Sequence, residues 1–378
     1  MYAEKQLNLA MPDEAGLKIT DAPITVDKTV FLEVLGKLKT SESQAVLAAA
    51  VVALQRQLDS ATPAFTASEN TTDSAETLEL GREFLFGELN QIAKAQTLER
   101  ARYYLERLER GVTASKTGST NDINLNQWKA YDDILTDSLW LIDRRDNTGV
   151  HSAGYWGNFV PQIPNQMLRR YTKPGEWVLD TFVGCGTTLI ESQRLGRNAL
   201  GIELQETVAQ RASDFVTAEP NRQGVVSQII AADSARLDYK TELEKHGQQS
   251  VQLVIMHPPY FDIIKFSDKP QDLSNAATVA EFLQMLKQVA SNAATVLDKG
   301  RYLVLVIGDK YAKGEWVPLG FQAMNEIMSL GFSLKSIVVK NFEETAGKRQ
   351  QKELWRYRAL VGGFYIFKHE YIFILSKK

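Results

Sequence analysis

Two stretches of this 378-residue chain carry residue types at spacings that could do chemistry. In one, VIMHPPYFDI, a β-branched apolar run ends at His257, Pro258, Pro259 and Tyr260. Neither proline donates a ladder hydrogen bond and each fixes φ, so the strand must stop there. The chain leaves the sheet with an imidazole on one side of a stiff diproline and a phenol on the other. The other stretch, VLDTFVGCGTTLIESQRLG, reads as a strand, a glycine turn and the start of a helix. Gly184 and Gly186 permit close backbone approach, and Thr187 and Thr188 suit the cap of a helix whose N-terminus faces a ligand. The following strand, ALGIEL, carries Glu203 at its carboxyl end, placed to accept two hydrogen bonds from a ribose diol. Asp233, in IIAADSARL, follows at the next strand end, suited to accept from an adenine amino group. A single Gly-x-Gly is often a mere bend, and a single strand-end acid is often a solvated residue or a helix cap. Asp180, Glu203 and Asp233 in succession point instead to a nucleoside cofactor.

These residues need a scaffold, and the pattern of the chain from about residue 127 onward supplies one. Strands are predicted at 177–180, 198–203, 227–231, 251–256, 301–307, 332–340 and 364–375, with helices between the first six, the spacing of a parallel α/β sheet. The last two strands lack an obvious crossover helix and read as an antiparallel hairpin on one edge. A further helix is predicted over 127–142. Before it, residues 26–58 show apolar residues at helical spacing, with Ser41 ahead of Glu42 as a helix start, and residues 74–111 form a second helical stretch stopped by Gly111. Residues 62–73 read as a polar loop, and 113–124 have linker composition. The expected division is a helical N-terminal region, 1–125, and an α/β domain, 126–378.

Composition narrows the function classes. The chain is 44% apolar and 24% charged, and its longest apolar run, near 44–58, is too short and interrupted for a membrane span. The polar, acidic first twenty residues do not read as a signal peptide, so a cytoplasmic location and no membrane partner are expected. Cys185 is the only cysteine and the four histidines are scattered, which gives neither a disulfide framework nor metal-ligand spacing. No metal is expected. The net charge of −3 hides an uneven distribution. Residues 331–378 hold ten Lys or Arg against four Glu, whereas residues 1–120 hold 17 Asp or Glu against 13 Lys or Arg. Phosphate contact is therefore expected from the tail, at Lys348, Arg349, Lys352, Arg356 and Arg358, with Trp355 and Tyr357 nearby. A plain surface hairpin loop is the competing reading of that segment. The acidic helices suit a protein partner better.

A dinucleotide site would show Gly-x-Gly-x-x-Gly, and the third glycine is absent here. Val178-Leu179-Asp180-Thr181-Phe182, Gly184-Cys185-Gly186-Thr187-Thr188, Leu195-Gly196-Arg197 and Gly201-Ile202-Glu203 instead resemble the first motif of the S-adenosylmethionine-dependent DNA amino-methyltransferases, the adenine-N6 and cytosine-N4 family. Thr181 stands for the family's proline and Cys185 for its serine. The resemblance spans about residues 157–378 and implies an α/β, Rossmann-like methyltransferase sheet, mostly parallel with an antiparallel edge hairpin, preceded by a helical N-terminal region. It implies S-adenosylmethionine as cofactor, held by Asp180, Phe182, Gly184, Gly186, Thr187, Thr188, Glu203 and Asp233, with Phe159 in the stretch that covers its methionine end. His257-Pro258-Pro259-Tyr260 is similar to the family's Asp, Asn or Ser followed by Pro-Pro-Tyr or Pro-Pro-Phe. On that likeness the Pro258 carbonyl and the side chain at 257 accept from an exocyclic amine, Tyr260 stacks on a flipped base, and the methyl group passes in line without a covalent enzyme intermediate. A neutral imidazole can accept from the amine, but which nitrogen is free depends on its neighbours. His257 matches neither the adenine nor the cytosine pattern, so both bases stay open. Double-stranded DNA is the expected substrate, with an oligomer or a defence-system partner, as in restriction-modification, in view. Two other readings stand beside it: an RNA base methyltransferase, and a catalytically silent subunit that binds DNA or a partner. Residues 262–268 are expected to be a mobile loop that closes on the substrate.

Overall fold

The computed structural model describes residues 23–60, 77–151, 157–312, 314–342 and 352–378. The chain divides into two compact units, one of residues up to 116 with 124–131, the other of 117–123 with 132–378.

In the first unit, β1 (Ile24–Asp27) leads into α1 (Lys28–Lys39) and α2 (Gln44–Asp59), and β2 (Thr77–Leu80) into α3 (Arg82–Ala93) and α4 (Leu98–Thr113). The helices start where a side chain satisfies an otherwise unpaired amide: Asp27 accepts from Val30 N, Ser43 from Val46 N and Thr97 from Arg100 N. The cap of α2 is thus Ser43, two residues beyond the Ser41 expected. Phe31, Leu35 and Leu38, with Leu47, Val51, Leu54 and Leu58, recur at the helical period and are buried together with Leu85, Leu89, Ile92, Leu105 and Leu108. Glu88 is buried within this bundle, and Arg107 at 2.5 Å and Lys129 at 2.8 Å neutralise it.

The second unit is built on an eight-stranded sheet. In chain order its elements are β3 (Leu139–Trp140), α5 (Gln162–Tyr171), β4 (Trp177–Asp180), α6 (Thr187–Arg194), β5 (Asn198–Glu203), α7 (Glu206–Ala218), β6 (Ser227–Ala231), α8 (Tyr239–Glu244), β7 (Val251–Met256), α9 (Val279–Val296) and β8 (Leu297–Ile307). Then come β9 (Lys310–Ala312), β10 (Glu315–Val317), α10 (Leu319–Met328), β11 (Phe332–Asn341), α11 (Lys352–Gly362) and β12 (His369–Lys377). The spatial order is β3-β11-β12-β8-β7-β4-β5-β6, and β9 pairs with β10 in a separate hairpin. Strands β4 to β8 run parallel, and β12 is antiparallel to both β8 and β11. Alternate strand residues face opposite layers, as the two-residue period of a strand requires. Leu179, Val254, Met256, Leu303, Leu305 and Phe373 pack toward α8, α9 and α10. Val178, Leu253, Ile255, Val304, Val306 and Ile372 pack toward α5, α6 and α7. The fold is α/β and Rossmann-like, with β5 on one side of β4 and β7 on the other. Strand order reverses at that place, and such a switch opens a crevice beyond the carboxyl ends of the strands.

Three sequence expectations need correction. Residues 127–142 are not a helix: a 3-10 turn spans Leu125–Ala130, and Leu139–Trp140 pairs in parallel with β11 as its outer neighbour. Side chains of α5 take up the backbone here, Gln166 accepting from Leu135 N and donating to the Asp133 carbonyl while Arg169 pairs with the Asp133 carboxylate, and Trp140 is buried against the sheet with its Nε1 donating to the Asp137 carbonyl. The final two strands do pair antiparallel at one side of the sheet as expected, with β12 between β8 and β11 and only the two-residue β3 outside β11. The basic, aromatic segment joining them contains helix α11, and the last strand begins at His369 rather than 364.

Candidate active site

One cavity of about 980 Å³ opens beyond the carboxyl ends of β4, β5, β6 and β7, all in the second unit. At one end the glycine turn lines it. Gly184 has φ +53° and Gly186 φ +87°, the left-handed region that glycine enters without a Cβ penalty. A Cβ on Gly186 would also meet Val216 Cγ2 at 3.1 Å. Strand β5 contributes a glycine for a related reason: a Cβ on Gly201 would fall 2.5 Å from Val183 Cγ2, so the turn can sit on β5 only at that residue. Two residues on, Glu203 projects into the cavity wall, with Oε2 accepting from Gly184 N at 3.2 Å and Oε1 from Gln205 N at 3.1 Å. Burial pushes the Glu203 carboxyl up to about 7, with Asp180 and Asp272 nearby adding to the shift. The backbone donors leave lone pairs on both carboxylate oxygens.

At the other end stand His257, Pro258, Pro259 and Tyr260, all lining the cavity at the end of β7. Because β7 adjoins β4 with Val254 opposite Leu179 and Ile255 opposite Asp180, the diproline turn lies beside the glycine turn. The Tyr260 ring packs against β8, where a Cβ on Gly308 would meet its Cε2 at 2.9 Å. Phe261 follows in a left-handed conformation, φ +56°, a strained state that its burial against Phe282 holds in place. Phe159 meets the imidazole edge-on, centroids 4.7 Å apart, and Tyr260 does so at 5.7 Å. Among the described residues no donor reaches the Pro258 carbonyl. Burial pushes the His257 imidazole down to about 4, against the opposing pull of the Glu370 charge. The imidazole is therefore neutral near pH 7 and can accept a proton.

The cavity unites Phe159, Phe182, Gly184, Thr187, Glu203 and Asp233 with His257, Pro258, Pro259 and Tyr260. Asp180, Gly186 and Thr188 stand behind its wall. Asp180 is buried, accepts from Phe182 N at 3.0 Å and is pushed up to about 6 by burial. Neither threonine caps α6: Gly186 occupies the cap position, and the Thr187 hydroxyl donates to Asn158 Oδ1 at 2.8 Å instead. The expected closing loop, 262–268, is tied at its end by Phe266, whose amide donates to Ser274 Oγ and whose carbonyl accepts from Gln205 Nε2. Among the expected phosphate contacts, Lys348, Arg349 and the Lys352 side chain lie outside the described residues. Arg356 and Arg358 are exposed on α11, the latter over the ring of Trp355, which lines the cavity. Sequence reading missed Lys340 and Glu370, which also line the cavity. Both counted only as charges in the tail, and pairing them requires the register of β11 on β12.

The sequence profile described as DNA methylase matches residues 89–214 and 251–378, about two thirds of the chain. The chain belongs to the DNA methylase family. Type II methyltransferase M.MjaII of Methanocaldococcus jannaschii is 38% identical over 68 residues, 17% of this chain and 12% of that one. M.MthZI of Methanothermobacter thermautotrophicus is 33% identical over 79 residues, 21% of each chain. M2.DpnII of Streptococcus pneumoniae is 33% identical over 100 residues, 25% of this chain and 34% of that one. The matched segments thus span about a third or less of these relatives. Among solved structures, TrmN from Thermus thermophilus aligns with 17% identity over 58% of this chain and 49% of its own, TM-score 0.38. A methyltransferase from Pyrococcus furiosus aligns with 12% identity over 60% and 87%, TM-score 0.37. The cofactor of this DNA methylase is S-adenosylmethionine, and the glycine turn with a buried carboxylate lacking hydroxyl donors fits it. Among the described residues no group of three or more metal-ligating side chains occurs, and no helix is long and apolar enough to cross a membrane.

Proposed function

We propose that this DNA methylase transfers a methyl group from S-adenosylmethionine to the exocyclic amine of a DNA base, adenine N6 or cytosine N4, held at His257-Pro258-Pro259-Tyr260. One observation carries the reading: the His257 imidazole and the Pro258 carbonyl, which no donor among the described residues reaches, stand in the same cavity as the glycine turn and Glu203. The bound cofactor supplies an electrophilic methyl group. Glu203 accepts from the ribose hydroxyls, and Asp233, at the end of β6, accepts from the adenine amine. An aromatic amine is a weak nucleophile because its lone pair is delocalised into the ring. Accepting from both of its N–H groups, at the Pro258 carbonyl and at His257, draws the nitrogen toward tetrahedral geometry. The cavity cannot reach an amine inside a duplex, so the base is flipped out. Phe342, Trp355 and Phe367 line the same cavity as the diproline and supply aromatic surface for a flipped base. The exposed Arg356 and Arg358 would then meet the phosphates beside the cavity mouth.

The test is expression in a host without DNA methylation, followed by single-molecule sequencing of its genome. N6-methyladenine or N4-methylcytosine at one motif supports the proposal and names the base. An unmodified genome, with purified protein that binds S-adenosylmethionine and methylates RNA, would refute it.

A further inference from the structure

The neutral imidazole at position 257 works as an acceptor only if its bare nitrogen faces the substrate. We propose that Lys340 and Glu370 are positioning residues that act through the Tyr260 hydroxyl to hold His257 protonated on Nε2, leaving Nδ1 as the acceptor for the target amine. The proposal rests on the methyl-transfer reading above.

It begins with sheet register. Lys340 on β11 and Glu370 on β12 are direct cross-strand partners, and Lys340 Nζ donates to Glu370 Oε1 at 3.0 Å. Their side chains are only 6% and 9% exposed, so little solvent competes for either. A lysine only donates and a carboxylate only accepts, so one carboxylate oxygen is committed. The other, Oε2, accepts from the Tyr260 hydroxyl at 2.7 Å. A phenol has one proton. With that proton directed at Glu370, the hydroxyl oxygen can only accept from His257, whose Nε2 lies 3.2 Å away and must carry hydrogen. Among the described residues Nδ1 has no hydrogen-bond partner. Burial raises the Tyr260 phenol well above its ordinary range, which keeps the relay proton in place. Gly308 beneath the phenol ring and Phe159 edge-on to the imidazole fix both groups. In the transfer step the amine nitrogen bonds to the methyl carbon as the carbon–sulfur bond breaks and leaves its electron pair on sulfur. The amine proton passes to Nδ1, and the resulting imidazolium loses it to solvent.

Glu370→Gln tests this sharply. Lys340 can be satisfied only by an oxygen, so the amide must give it the carbonyl and present its NH2 to Tyr260. The phenol then accepts from the amide and donates to His257 Nε2, which moves the imidazole proton to Nδ1 and removes the acceptor. The readout is the nitrogen spectrum of full-length protein labelled with 15N-histidine, in which four histidines give few signals and His257→Ala assigns the relevant one. His257 is expected to be protonated on Nε2 in the parent protein and on Nδ1 in Glu370→Gln. The turnover number should fall about 100-fold, the scale of a lost acid–base contact, at unchanged affinity for S-adenosylhomocysteine. The double variant Lys340→Met with Glu370→Gln lets the amide turn its oxygen to Tyr260, so the Nε2-protonated form and most of the rate should return. A parent His257 protonated on Nδ1, or a tautomer unchanged by Glu370→Gln, overturns the proposal. Should Glu370→Gln fail to fold, Tyr260→Phe takes its place, and a single Nε2-protonated form persisting without the hydroxyl is equally fatal. Because the tautomer is read without turnover, a parent protein that methylates no DNA counts against the function alone, while the nitrogen spectrum still decides the relay.

Discussion

Lowering the pH from 8 to 6 should weaken binding of S-adenosylhomocysteine about tenfold, because Glu203 must be ionised to accept from both ribose hydroxyls and its carboxyl sits at about 7. Burial between the glycine turn and Gln205 is the main cause, and the charges of Asp180 and Asp272 push the same way. For one proton lost before binding, the apparent Kd scales as one plus the proton-to-acid ratio. That factor is about 11 at pH 6 and about 1.1 at pH 8, a difference of about 1.4 kcal/mol. Above pH 7 the affinity should level off. Titration calorimetry at half-unit intervals, in two buffers of different ionisation enthalpy, reads both the slope and the proton released, about 0.8 per ligand at pH 6.5. Glu203→Gln should abolish the slope and weaken binding at pH 8 by about thirty-fold, the cost of exchanging charged acceptors for an amide. Asp180, pushed up to about 6, does not line the cavity, and Glu203→Gln separates its titration from that of Glu203. A parent protein whose affinity is flat from pH 6 to 8, or a Glu203→Gln variant that keeps the slope, would refute the assignment of Glu203 to the ribose.

The same carboxyl predicts a stability effect in the cofactor-free protein. Its folded value lies above the unfolded one of 4.5, so its contribution is fully present below 4.5 and lost as pH rises through 7. Relative to the parent, Glu203→Gln should gain about 2.5 kcal/mol between pH 5 and pH 8 in urea unfolding, and parallel curves would contradict it. His257→Ala should abolish methyl transfer while leaving S-adenosylhomocysteine affinity within about twofold; loss of that affinity instead would mean the residue belongs to the cofactor end. Gly201→Ala drives a methyl into Val183 and Leu189 and should cost about 2 kcal/mol of stability together with cofactor affinity, read by denaturation and calorimetry. Arg356→Ala with Arg358→Ala should reduce the salt slope of DNA binding by about two without altering cofactor binding, and an unchanged slope would remove α11 from the phosphate contact.

What could be read from sequence here is local, and what could not is set by register. Gly184, Gly186, Glu203 and His257 to Tyr260 could be read because each punctuates an apolar strand that the two-residue period and its flanking turn residues already mark. Gly201 carries a signal of the same kind, since glycine inside a strand marks close backbone approach, here to Val183. Residues 127–142 misled for the opposite reason: a stretch holding Trp128 and Trp140 reads as a helix, but Trp140 is buried through a two-residue strand whose partner, β11, lies some 200 residues downstream. Asp180 and Thr188 read as cofactor contacts because a strand-end acid and a threonine just after the glycine turn are visible in sequence, whereas the direction each side chain takes is not.

The pair that tunes the chemistry lies at the far end of this scale. Lys340 and Glu370 are 30 residues apart, and nothing near either says that they face each other. Only the insertion of β12 between β8 and β11 brings them together under Tyr260. A His-Pro-Pro-Tyr turn read alone leaves open which imidazole nitrogen is bare. The answer comes from a strand pairing on the other side of β8, so the departure of position 257 from the usual acid, amide or serine and the charges at 340 and 370 form one design. On this argument a Lys340→Met or Glu370→Gln change should be tolerated by a relative with asparagine or aspartate at the position of His257, whose acceptor oxygen needs no tautomer to be chosen.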